Sequence, residues 1–396
     1  MQKFEKHSPV VVTEVTTKHE LRQFMQYPNR LYADNPNYIP SFYGDDLSDW
    51  TPGKNPAFDY CEARCWLARR DGEIVGRIGA ILSHKANDKF GTHRMRFSQV
   101  DFVDDSEVSA ALFGTVERWA REKGCDQVHG PLGFTDMDRE GMLVEGFDRR
   151  SLFFTNYNAP YYLEHLTRLG YRKDVDWIEY RITVPEPGGA EAERLHKLSE
   201  FILKRKHLHV ATVHHKSEYG PFVRQVFELV NAAYAPLYGV VELSDEQIER
   251  YANKFIPLVD PDFVCFVVDE QDQLVAFGVT ALDPSVALKH SDGRLFPFGW
   301  AGVLNDLHHS DTLIMLLTAV RPDLQAEGIN AVMMDHVCQS CNRHGVRFAE
   351  TGPMLELNDH ILAQWKRLEK EQHKRRRCFI KDLDHDVNAA NAAAAQ

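Results

Sequence analysis

No stretch of this 396-residue chain comes near the ~18 consecutive apolar residues that a membrane-spanning helix needs. The amino terminus, MQKFEKHSPVVV, lacks the apolar core and cleavage site of a secretory signal, so a cytoplasmic location is the expectation. An excess of positive charge is missing too. Lys and Arg number 46 against 58 Asp and Glu, a net charge of −12, which argues against nucleic acid as a partner of the whole surface. Seven cysteines, an odd number without framework spacing, exclude a disulfide-stapled fold. Cys338-x-x-Cys341 has no second pair, and His214-His215 and His308-His309 lack ligand spacing, so no metal is expected.

What remains is an ordinary globular composition, 43% hydrophobic and 26% charged, in a chain long enough for two or three cores. The clearest seam is Pro185-Glu186-Pro187-Gly188-Gly189-Ala190. It sets expected domains at 1–187 and 188–383, followed by an Asn/Ala-rich tail at 384–396 expected to be disordered. The two halves repeat one order of elements. In the first, a strand at 10–15 and a helix at 18–26 precede a hairpin, 61–69 with 73–82, turned at Asp71-Gly72. A long strand at 95–103 and a helix at 108–123 follow, the latter with Leu112, Val116, Trp119 and Ala120 on one face and Gly124 as its stop. The second half reads strand 208–213, helix 219–234, hairpin 263–269 with 274–281, long strand 312–320 and helix 329–344. Strand 346–350, helix 359–372 and strand 377–383 complete it.

The most informative segment is TLIMLLTAVRPDLQAEGIN at 312–330. A buried strand, a turn with glycine and a helix start leave backbone N–H groups without partners where the helix dipole is positive, which suits a phosphate or pyrophosphate. Gly328, without a Cβ, lets a ligand approach the backbone. After its own long strand the first half reads Asp101-Phe102-Val103-Asp104-Asp105-Ser106-Glu107, whose acids would repel such a group.

The 312–330 segment resembles the acyl-CoA pyrophosphate loop of the GNAT superfamily of N-acyltransferases, Gln/Arg-x-x-Gly-x-Gly/Ala after a long strand. Gln325 and Gly328 match it, and Asn330 stands where that family has a small residue. The element order of both halves is similar to that family's as well. The resemblance implies an α/β (α+β) chain of two tandem GNAT-like domains, each a mixed, mostly antiparallel sheet flanked by helices, with the first domain's CoA loop degenerate. It implies acetyl-CoA or a longer acyl-CoA as co-substrate, held by Val320, Arg321, Gln325, Ala326, Gly328, Ile329 and Asn330, with Asn358 on the pantetheine arm. A backbone N–H near Ala319, Val320 or Arg321 would polarise the thioester carbonyl. A carboxylate would take the proton of an attacking amine, and Glu350 and Glu356 are the candidates in the second half. The family's usual general-acid Tyr is replaced by Trp365.

A second candidate site is the Gly- and acid-rich stretch at 130–148, where Asp138, Glu140 and Glu145 could hold a cationic amine; Asp138 and Glu145 are carried as further catalytic candidates. Tyr157, Tyr161 and Tyr162 read either as an acceptor-pocket wall or as core. The basic run at 366–377 reads as a contact for the CoA 3′-phosphate, for lipid headgroups at a peripheral membrane contact, or for tRNA, or as a solvated helix end. The expected activity is transfer of an acyl group to a small-molecule or lipid amine, a long-chain amino lipid among the options. The alternatives are a GNAT-fold binding protein without turnover and an aminoacyl-tRNA-dependent ligase.

Overall fold

A computed structural model describes residues 8–383; the tail at 384–396 lies outside them. In chain order the first half runs β1 (Val11–Glu14), α1 (Lys18–Leu31), α2 (Tyr43–Asp49), β2 (Cys61–Arg70), β3 (Glu73–Ser83), α3 (His84–Phe90), β4 (Arg94–Phe102), α4 (Ser106–Glu122), β5 (Gln127–Gly130), β6 (Met142–Glu145), α5 (Tyr162–Arg168) and β7 (Arg172–Thr183). The second runs α6 (Ala190–Lys206), β8 (His209–Val210), α7 (Gly220–Tyr234), α8 (Asp245–Phe255), β9 (Val264–Val268), β10 (Leu274–Leu282), α9 (Ser285–His290), α10 (Gly299–His309), β11 (Thr312–Val320), α11 (Asn330–His344), β12 (Phe348–Glu350), β13 (Met354–Leu355), α12 (Asp359–Ala363) and β14 (Lys370–Asp382).

Local chemistry sets many of these boundaries. Asp71 and Gly72 both take positive φ, 51° and 85°, as a two-residue turn matched to strand twist requires. Thr17 and Glu20 form a reciprocal capping box that starts α1. Gly345, in the left-handed region, ends α11. The expected apolar face of α4 is buried in full at Leu112, Val116, Trp119 and Ala120.

The chain forms two compact units, 8–176 with 376–383, and Trp177–Arg375. β7 starts in the first unit and finishes in the second; β14 does the reverse. The Pro/Gly cluster at 185–190 links β7 to α6 within the second unit. The first unit's sheet has the order β1-β2-β3-β4-β5-β14, and the second's β8-β9-β10-β11-β12-β7. In each, the fourth and fifth strands are the parallel pair and their neighbours are antiparallel. The expected mixed, mostly antiparallel architecture and its duplication are therefore present. The last strand of each sheet is encoded by the other half of the sequence. The first core gathers Trp66, Phe97, Phe102, Phe113 and Trp119, and the second Val267, Val275, Leu313, Ile329 and Val332.

Three expectations need correction. The strand expected at 208–213 shrinks to His209–Val210. The helix expected at 359–372 ends at Ala363, and Lys370 opens a thirteen-residue strand instead. Lys, Arg, Glu and Gln favour helix when nothing else decides, but here partner strands and acidic side chains do. The basic run is accordingly not a solvated helix end: Lys374 and Arg376 are buried, at 1% and 0% exposure. Of the two readings of the tyrosine cluster, Tyr162 takes the core one. Its ring stacks on Phe102 at 4.1 Å and its hydroxyl accepts from the Phe102 N–H at 2.7 Å.

Candidate functional site

The site in the second unit begins where two strands part. β11 and β12 pair at Thr312–Phe348, Leu313–Ala349 and Ile314–Glu350, and there the pairing stops. β11 continues to Val320, so its outer edge has no strand neighbour among the described residues. A register shift against β10, between Val279 and Thr280, skips Leu316 at the mouth of the fork and re-aims the strand as a bulge does. The Arg321 N–H donates to the Val275 carbonyl at 2.8 Å. Because hydrogen bonding alternates along an antiparallel strand, Leu317 and Ala319 also face β10, and Thr318 and Val320 turn to the open edge. Two contacts mark that edge: the Tyr234 hydroxyl donates to the Thr318 carbonyl at 2.8 Å, and Gln325 Nε2 to the Val320 carbonyl at 3.3 Å. The N–H expected near Ala319, Val320 or Arg321 is thus narrowed to Val320, with Thr318 beside it. Sequence reasoning missed both Thr318 and Tyr234.

After β11 the chain turns twice through the left-handed region, at Ala326 (φ 64°) and Gly328 (φ 85°), before α11. The N–H groups of Ala326, Gly328, Ile329 and Asn330 have no acceptor among the described residues, so they form a concave set of donors. Both acids of this loop are already countered. Asp323 is paired by Arg321 at 2.7 Å and Glu327 by Lys206 at 2.6 Å. Arg321 therefore offers neither its N–H nor an unpaired guanidinium. Gly328 has a second constraint: a Cβ there would lie 2.9 Å from Ile202 Cδ1.

Between the sheet and α11 lies an apolar cavity of about 100 Å³, bordered by Met315, Leu317, Thr318, Asn330, Met333 and Val337 among others. Asn330 brings it up to the loop. Trp365 lies on its wall, buried, with its indole N–H on Met354 Sδ at 3.2 Å. Cys338 and Cys341 line it too. Burial pushes their thiols up to about 11 and about 12, so they are packing groups rather than thiolate ligands.

The first unit has the same fork: β4 pairs in parallel with β5 at Arg94, Met95 and Arg96 and then separates. Its helix start differs. Asp105 caps α4, accepting from the N–H groups of Glu107 and Val108 at 2.9 and 3.3 Å, so a carboxylate of the chain itself occupies the place of an anion.

No protein-family model matches the chain. A tandem GNAT protein from the clavulanic acid biosynthesis pathway superposes with a TM-score of 0.54 at 13% identity, covering 95% of this chain and 99% of that one. The chain has the tandem GNAT fold. A GCN5-related N-acetyltransferase from Sphaerobacter thermophilus gives a TM-score of 0.51 at 13% identity over 96% and 97% of the two chains. In sequence, the chain is 27% identical to Protein YghO of Escherichia coli (strain K12) over 379 residues, 94% of this chain and 95% of that protein. It is 28% identical to the bacterial ceramide synthase of Caulobacter vibrioides over 300 residues, 74% and 75%.

Within this GNAT frame the expected carboxylates scatter. Glu350 stands at the fork, but its carboxylate is engaged by Lys374 at 3.2 Å and Arg181 at 3.5 Å, with His373 at 3.8 Å. Glu356 is paired by Arg375 at 2.9 Å. Asn358 caps α12, accepting from the Ile361 N–H at 3.3 Å. Asp138 and Glu145 are in the first unit. Asp138 accepts from the N–H groups of Phe134 and Thr135 at 2.8 and 3.2 Å, which shapes its own loop. Glu145 ends β6, exposed.

That loop carries an unusual charge balance. Burial pushes the Asp136 carboxyl up to about 6, with neighbouring Asp138 adding to it. Burial, then Asp136, raises Glu140. The native state here holds a proton that the unfolded chain gives up near pH 4, so stability is full below that point and is lost as pH rises through about 6. Asp136→Asn should raise stability near pH 8 by ~1–2 kcal/mol, or ~2 °C in Tm, with no gain near pH 4. Thermal melts at both pH values check this, and an equal shift at both would contradict it.

Proposed function

We propose that the second unit binds an acyl-CoA thioester and transfers its acyl group to an amine, a long-chain amino lipid being the favoured acceptor. The observation that carries this reading is the fork itself. An open strand edge with outward N–H groups at Thr318 and Val320 continues into a loop whose backbone donors converge at Ala326, Gly328, Ile329 and Asn330. The loop suits a pyrophosphate, and the countered charges on Asp323 and Glu327 remove the repulsion that bare acids would impose. The apolar cavity beneath α11 suits the acyl-bearing arm.

In this reading the amine nitrogen attacks the thioester carbonyl. The C–N bond forms, the C–S bond breaks, and the CoA thiolate leaves. The Val320 N–H stabilises the oxygen as charge gathers on it. Tyr234, at the same edge, offers the departing sulfur a proton. The proton lost by the amine goes to solvent or to a carboxylate at the fork, where Glu350 is the nearest of the expected candidates in register. The likeness to a bacterial ceramide synthase supports a lipid amine over a small polar one. A cytoplasmic site of action, where acyl-CoA is found, is part of the proposal. It accords with seven cysteines that form no disulfide among the described residues.

Calorimetric titration with acetyl-CoA and palmitoyl-CoA tests it. Both should bind, and palmitoyl-CoA about tenfold or more tighter, because each buried methylene adds roughly 0.8 kcal/mol before ordering costs. Release of free thiol on adding a long-chain amine should follow. Failure of both thioesters to bind would sink the proposal.

A further inference from the structure

Between β10 and β11 the second unit carries an insertion, α9 and α10, that no counterpart in the first unit matches in length. There the corresponding connection holds only the short helix α3. The insertion is firmly built. The Ala287 N–H donates to Asp306 Oδ2 at 2.7 Å, and a Cβ at Gly302 would touch that of Ala287 at 3.1 Å, so the two helices pack closely. Val303 and Leu307 face inward on α10 and are buried. Beside them on the same apolar stripe, Trp300 and Leu304, one helical turn apart, are 48% and 45% exposed. Just before them Phe296 and Phe298 are 80% and 82% exposed, and Val286 on α9 is 50% exposed. An apolar stripe buried on one flank and left exposed on the other normally has something covering the exposed part.

We propose that this Phe-Pro-Phe-Gly-Trp tip docks the protein on a phospholipid bilayer surface. Side chains that project this far do not line a groove; they enter a deformable apolar phase, and Phe and Trp are the residues that settle at a bilayer's interface. Charge agrees. In a chain of net charge −12, the stretch from Gly293 through Asn305 contains no carboxylate, and it carries the exposed Arg294 two residues before Phe296. Anionic headgroups at the tip therefore meet no carboxylate between the flanking Asp292 and Asp306. The peripheral membrane contact expected at the basic run 366–377, where Lys374 and Arg376 are buried, is here placed on this insertion. The inference does not depend on thioester binding.

Of the six tryptophans Trp300 is the exposed one; Trp50, Trp66, Trp119, Trp177 and Trp365 are buried. Tryptophan emission of the full chain thus reads the tip directly. Adding vesicles of mixed phosphatidylcholine and phosphatidylglycerol should shift emission to shorter wavelength, and brominated acyl chains should quench it. Phe296→Ser with Phe298→Ser should weaken co-sedimentation with these vesicles roughly 100-fold, the equivalent of two phenyl groups no longer buried, while leaving the melting temperature unchanged. Co-sedimentation undiminished by the double substitution would overturn the proposal. So would a lipid-free self-association that the same substitutions abolish, since the face would then be an interface between copies of this chain.

Discussion

Lys374→Met should destabilise the protein by about 3–5 kcal/mol, the largest effect expected of any single substitution considered for this chain. Lys374 and Glu179 are both fully buried as side chains, and the ammonium lies 3.3 Å from Glu179 Oε2 and 3.2 Å from Glu350 Oε2. One cation thus bridges two carboxylates, of which Glu350 also keeps Arg181 at 3.5 Å. Removing it takes away the charge they share and lets them repel, whereas removing one acid as well relieves much of that penalty. Lys374→Met with Glu179→Gln should therefore recover more than half of the loss. Urea unfolding checks this: the midpoint should fall while the slope stays constant. A loss under ~1 kcal/mol would mean that water reaches the cluster and that the buried pairing has been misjudged.

Ala326→Asp should cost roughly 100-fold in acyl-CoA affinity, ~2.7 kcal/mol, with stability held or slightly improved. Asp tolerates the left-handed backbone that Ala326 adopts better than Ala does, so the substitution adds a negative charge to the donor loop without straining it. Gly328→Asp should abolish binding too, but it also meets Ile202 and a positive φ, so its failure would mix misfolding with repulsion. Calorimetry on both variants, each with a melting curve, separates the two causes. Unchanged affinity in Ala326→Asp would remove the loop from the site.

Much of this architecture could be read from sequence because its determinants are local. Thr312–Val320 matches its expected strand to the residue, since an unbroken apolar run bounded by polar turns has one reading. The loop after it was legible for the same reason: strand, left-handed turn and helix start are adjacent in the chain. What stayed hidden depends on distant residues. β14 is written in helix-favouring Lys, Glu, Gln and Arg, and it becomes a strand because β5 pairs with Phe379–Asp382 and Glu179, Glu350, Glu356 and Asp176 receive its cations. Glu350 could be placed at the fork, but the groups engaging it come from Arg181 and Lys374, far along the chain. In α10, Trp300, Val303, Leu304 and Leu307 carry a helical period, but Pro297, Gly299 and Gly302 in so short a run read as a loop.

The exchanged last strands also set a timetable for synthesis. The first unit's β5 finds its outer neighbour in Phe379–Asp382, after the whole second unit in chain order. At roughly 5–20 residues per second on the ribosome, the nascent first unit waits on the order of 10–50 seconds with that strand edge open. A premature stop anywhere before residue 376 would leave it open permanently, so even a chain that contains every other strand of the first unit should aggregate rather than work.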